Sequence, residues 1–140
     1  MNRTLKLGLG IVVALLVALS AAWLWGSSGK GDLQRALDAA ELRNDLLAAR
    51  AAVLGARVDL YINNFGDASR DFEAARTGLR QAEGRFKTLG RDEDVKRLGV
   101  ALARIDEAQQ FAGKLDQTAN ARATEALKPI DEMLAAVTPR

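Results

Sequence analysis

The uncharged run from Leu7 to Trp25 constrains this chain more than any other feature. As an α-helix rising 1.5 Å per residue it spans about 28 Å, close to the roughly 30 Å hydrocarbon core of a bilayer. Arg3 and Lys6 precede the run, and Trp23 and Trp25 close it, the pattern of a basic cytoplasmic flank and an aromatic belt at the far interface. Residues 1–6 are therefore expected to be a cytoplasmic N-terminus, with residues 7–25 a single transmembrane anchor and the remainder exported. A cleaved signal peptide competes with the anchor, because Ala18-Leu19-Ser20 and Ser20-Ala21-Ala22 both offer small-residue cleavage sites. The run is longer than the usual apolar core of such a peptide, about 7–15 residues, and its tryptophans extend past either site, which favours retention.

Within the span, Gly10, Ala14, Ala18 and Ala22 recur every four residues and so share one helix face, where a second transmembrane helix can approach closely. Residues 26–31, Gly-Ser-Ser-Gly-Lys-Gly, join poor helix formers to linker composition and are expected to form a flexible connection.

The exported part, residues 32–140, has few chemical options. There is no Cys and no His, which excludes disulfides, thiolate or imidazole metal sites and histidine-based catalysis. From Lys30 onward 18 basic residues face 18 acidic ones, interspersed, so no cationic face for nucleic acid is concentrated anywhere. The densest carboxylate group, Asp92-Glu93-Asp94, points in three directions on a helix and fits a helix-capping first turn better than a metal site. Ser69 has Arg70 and Asp71 beside it but no identifiable base to activate it. No catalytic, cofactor-binding or metal-binding residue is expected, and the chain does not read as an enzyme.

Apolar spacing predicts an all-α fold, an antiparallel four-helix up-down bundle with a long first helix behind the transmembrane anchor. Leu33, Leu37, Ala40, Asn44, Leu47, Ala51, Leu54, Val58, Tyr61 and Phe65 alternate steps of four and three, and are expected to be the first helix's seam. Ala68, Phe72, Ala75, Leu79, Ala82, Phe86 and Leu89 repeat the alternation. Val95, Leu98, Leu102 and Ile105, drifting to Ala108, Phe111 and Leu115, make a third seam, and Ala119, Ala123, Ala126, Ile130, Met133 and Val137 a fourth. The aromatic residues Tyr61, Phe65, Phe72, Phe86 and Phe111 are expected in the core.

Asn64 with Asp67 resembles a capping box, Gly90 suits a left-handed helix end, and Gly113 with Asp116 suits the same at the third junction. Pro129 either kinks the fourth helix or restarts it. The first helix, expected from about Asp32 to Asn63, outruns its partners, so Leu33, Leu37 and Ala40 overhang as a partner-binding stalk. Asn44 just above them either fixes register between helices or is solvated where the bundle frays.

Ala56, Phe65, Ala68, Phe72 and Ala75 together resemble a tetratricopeptide-repeat hairpin, with small, aromatic and small residues in that family's order. The resemblance covers residues 56–75 and departs at Ala52, at Gly55-Ala56 and at Arg80, with no second copy 34 residues away. It implies close-packed antiparallel helices and partner binding.

These features lead us to expect a membrane-anchored helical scaffold or interaction protein, an accessory or assembly subunit of a larger membrane complex. Alanine and arginine richness fits a bacterial gene, which places the anchor in the cytoplasmic membrane and the bundle in the periplasm. The partners expected are the membrane, other membrane-protein subunits and a second copy of the chain, with no cofactor. The alternative is an exported sensor-type module binding a small molecule or peptide between its helices. Such sensors ordinarily return through the membrane to an output domain, whereas this sequence stops at Arg140.

Overall fold

The structure is a computed structural model that describes residues 31–137 in full, together with the helical backbone from Arg3. Four helices follow in order: α1 (Arg3–Tyr61), α2 (Phe65–Thr88), α3 (Asp92–Ala112) and α4 (Thr118–Val137). Helical backbone passes through residues 26–31, where the glycines led us to expect an interruption. Each glycine weakens a helix by about 1 kcal/mol, but helix propagation is cooperative once nucleated. The chain divides into two units, Met1–Leu37 and Asp38–Arg140. The second holds the bundle.

Paired side chains fix the bundle's topology. Arg85 near the end of α2 reaches Glu41 at 2.5 Å and Asp45 at 2.7 Å on α1, while Asp71 near the start of α2 lies against Gly55. The α1–α2 pairing is therefore antiparallel. Arg76 and Asp106 join α2 to α3 at 3.1 Å, Arg104 and Glu125 join α3 to α4 at 3.1 Å, and Arg50 and Asp131 close the ring from α4 to α1 at 2.6 Å. Exposed pairs of this kind contribute about 0–1 kcal/mol each, so they select neighbours and register more than they stabilise. The Asp45 carboxylate, followed by Glu41, holds the Arg85 guanidinium charge more firmly than usual, and Glu107 does the same for Arg104.

Burial supplies the stability. The α2 seam is as the spacing predicts from Ala68 to Phe86, and the α4 seam from Ala119 to Met133 is equally closed. In α3, Leu98, Ala101, Ile105, Ala108 and Ala112 are buried, and Val95, Leu102 and Phe111 flank them. Eleven of the 23 buried apolar residues among the described ones are alanine, whose small side chains allow close helix packing. Gly78 marks a close approach of α2 to the α1 backbone: a Cβ there would lie 3.1 Å from the Asp45 carbonyl oxygen and 3.3 Å from the Ala49 Cβ.

The first helix corrects the sequence reading. Its buried face is Leu42, Leu46, Ala49, Val53, Ala56 and Leu60, whereas Leu47, Val58 and Tyr61 of the expected seam are 41%, 62% and 81% exposed. Both sets alternate steps of four and three. They are offset by two residues, a turn of about 200° on a helix of 3.6 residues per turn, so the expected seam faces away from the core. Tyr61 leaves the expected aromatic core for the same reason, and Leu89 beyond the end of α2 is also exposed, at 49%.

Three helix ends share one geometry. At Asn63, Gly90 and Leu115 the backbone is left-handed, with φ of 62°, 66° and 58°. After each, an amide reaches back five residues: Asn64 to the Asp59 carbonyl at 2.7 Å, Arg91 to Phe86 at 2.9 Å, and Asp116 to Phe111 at 3.0 Å. This is the Schellman closure, which satisfies carbonyls left open at a helix end. Leucine, not the expected Gly113, takes the left-handed position after α3; Gly113 keeps ordinary helical angles. The next helices start as expected in part. The Asn64 side chain accepts from the Asp67 amide, and Asp116 accepts from the Thr118 amide at 2.8 Å, which holds its carboxyl below the usual range. Asp92, Glu93 and Asp94 form the acidic first turn of α3 as expected, but Arg91, not Asp92, is the capping position and makes no side-chain cap, while Asp94 is buried between Arg91 at 2.7 Å and Arg97 at 3.1 Å. Pro129 sits buried inside α4, which continues across it to Val137.

Candidate interaction surface

Having closed its core, the bundle leaves an apolar face of α1 outside. Asn44, Leu47, Ala51 and Val58 follow the seven-residue spacing on this face and are exposed, Tyr61 ends it, and Leu54 is half-buried against the core edge. At its C-terminal end Leu54, Arg57, Val58 and Tyr61 join Asn120 of α4 to line a shallow groove of about 330 Å³. The Arg57 Nε donates to the Asn120 side-chain oxygen at 2.9 Å, which holds that groove's polar wall.

Several charged residues bordering the face are engaged within the chain. Glu41 on one edge is paired with Arg85, and Arg50 on the other with Asp131. A second groove, about 350 Å³, lies between α1 and α2, lined by Asp38, Gln81, Gly84, Arg85, Thr88 and Leu89. Both grooves are open to solvent.

The expected stalk residues are all exposed: Leu33 at 63%, Leu37 at 48%, and Ala40 and Asn44 beside them. Asn44 stands on the outward face and not in the bundle seam. The proposed transmembrane packing residues Gly10, Ala14, Ala18 and Ala22, and the anchors Arg3, Lys6, Trp23 and Trp25, have side chains outside the described residues. Among the described residues no helix is long and apolar enough to cross a membrane, and no cluster of acidic residues is arranged to hold a metal ion.

The sequence reading placed the outer stripe inside, and one signal separates the two faces. The buried stripe carries no polar residue from Leu42 to Leu60, whereas the exposed one includes Asn44. The buried stripe also fades upstream, where the same spacing falls on Arg35 and Asp32, while the outer one continues to Leu37 and Leu33.

The residues of the tetratricopeptide-like signature do pack together: Ala56, Ala68, Phe72 and Ala75 are buried and Phe65 lies against them. No family model, curated protein or solved structure matches the chain.

Proposed function

We propose that this chain is a membrane-anchored helical interaction protein, an accessory or assembly subunit of a larger membrane complex. Residues 7–25 anchor it in a bacterial cytoplasmic membrane with the N-terminus inside, and the bundle stands in the periplasm. One observation carries the reading: a bundle with a closed core of its own still presents apolar side chains on the outward face of α1. Isolated exposed apolar residues are ordinary, but a run at helical spacing marks a surface that is covered in use. The alanine-rich interior, closed to solvent, favours this over a module that takes a ligand between its helices.

Gentle extraction from the native membrane, native electrophoresis and mass spectrometry of the comigrating chains test the proposal. A stoichiometric larger complex is expected, and Gly10→Ile with Ala14→Ile should reduce its recovery. Migration of this chain by itself under those conditions would contradict the accessory-subunit reading.

A further inference from the structure

We infer that the outward face of α1 pairs with the same face of a second copy of this chain, in parallel and in register, as a two-stranded coiled coil. The inference rests on the interaction-protein reading and names the occupant of that surface. Written as a heptad, the face places Asn44, Ala51 and Val58 at a and Ala40, Leu47, Leu54 and Tyr61 at d, three consecutive repeats within one helix. A β-branched residue at a, leucines at d and one asparagine at a are the pattern of a two-stranded parallel pair.

Chemistry along the edges selects both partner and direction. The g positions are Arg43, Arg50 and Arg57, and the e positions Glu41, Ala48, Gly55 and Ile62. In an antiparallel pair g faces g, which would set this row of arginines against itself. In a parallel pair each g residue faces the e residue five positions further along the other copy: Arg43 meets Ala48, Arg50 meets Gly55 and Arg57 meets Ile62. Of the edge charges, Arg50 and Arg57 already have Asp131 and Asn120 as partners and Glu41 has Arg85, so alongside Arg43 the face suits a helix whose facing edge carries little positive charge. Its own e edge is one: it carries no cation, Glu41 is paired with Arg85, and the Asp71 carboxylate of α2 lies against Gly55.

Asn44 makes the same choice. In parallel register its amide meets the amide of Asn44 in the other copy, and donor and acceptor satisfy each other. In antiparallel register it would lie against Ala40, Leu47, Leu54 or Tyr61, three of them unable to accept its hydrogen bonds.

The test is the mass of the full chain in detergent micelles, by light scattering with the detergent contribution subtracted. A dimer is expected, and Leu47→Glu with Val58→Glu should halve the protein mass while leaving helical circular dichroism unchanged, because both side chains lie outside the core. Since the chain has no cysteine, Asn44→Cys reports direction: oxidation should join two copies covalently at this residue. A monomeric wild-type chain, a dimer that survives the double charge substitution, or absence of the Asn44→Cys crosslink would each overturn the inference. A monomer that instead recovers a different chain in stoichiometric amount overturns it too, while leaving the interaction-protein reading standing.

Discussion

The two faces of α1 carry nearly the same repeat and have opposite fates. Leu46 and Leu60 are fully buried, and their immediate neighbours Leu47 and Tyr61 are 41% and 81% exposed. Heptad spacing states that a helix has an apolar stripe; it does not say which of two stripes the chain's own helices cover. What decides here is where each stripe runs out. In sequence the inner one gives way upstream to Arg35 and Asp32, and the outer one continues to Leu37 and Leu33.

Truncation of adjacent residues is the largest expected contrast. Leu46→Ala and Leu60→Ala should each cost about 2–5 kcal/mol, the transfer and cavity cost of a buried leucine. Leu47→Ala and Tyr61→Ala should stay within about 0.5 kcal/mol when urea unfolding is followed at a dilution that separates copies. Equal losses across each pair would dissolve the distinction between the faces.

The next contrast lies on α2, between Gly78 against α1 and Gly84 with nothing near it. Gly78→Val should destabilise by about 1–3 kcal/mol through overpacking, visible as a lower urea midpoint. Gly84→Ala should stabilise by about 0.5–1 kcal/mol through helix propensity alone. The sign difference checks that inward positions of the bundle are set by close approach.

Much of this was written openly in the sequence. The seams of α2 and α4 were plain because each helix has one apolar stripe, and the Asn64 cap and the Gly90 turn use residues whose chemistry announces them. The face of α1 was obscured because Leu42 to Leu60 and Leu33 to Tyr61 both satisfy the same periodicity, and the longer run drew the assignment. The end of α3 was hidden for a different reason. Gly113 was the residue suited to a left-handed turn, but the closure reaches Leu115, and local preference was outvoted by where the connection must return to α4. The expected anchor and its small-residue face lie outside the described residues.

That last point gives a smaller prediction. Leu115→Gly should relieve a left-handed leucine and raise the melting temperature, by up to about 1 kcal/mol of stability. The side chain is 69% exposed, so little packing is lost in exchange.

The smallest expected effect concerns pH. Gln109, by donating to Glu73, and the Thr118 amide, by donating to Asp116, hold these carboxyls below their ordinary values of 4.5 and 3.8. A carboxyl depressed on folding contributes stability that is present above its ordinary value and lost as pH falls through its lower folded value. Acid titration of the melting temperature should therefore show a decline below about pH 4.5 that Glu73→Gln and Asp116→Asn flatten. Neither residue borders the outer face of α1, so outer-face variants should keep the same acid decline.

Thiol labelling at adjacent positions addresses the two faces of α1 most directly, because the cysteine-free chain allows one reporter at a time. In the full chain in micelles, the thiol of Leu46→Cys should stay protected at every dilution, shielded by the core. The thiol of Leu47→Cys should be protected at high concentration and become reactive on dilution, as copies separate. Protection of Leu47→Cys at all dilutions with free reaction of Leu46→Cys would mean that the faces are assigned the wrong way round, and reaction of Leu47→Cys independent of concentration would mean that nothing of this chain covers the outer face.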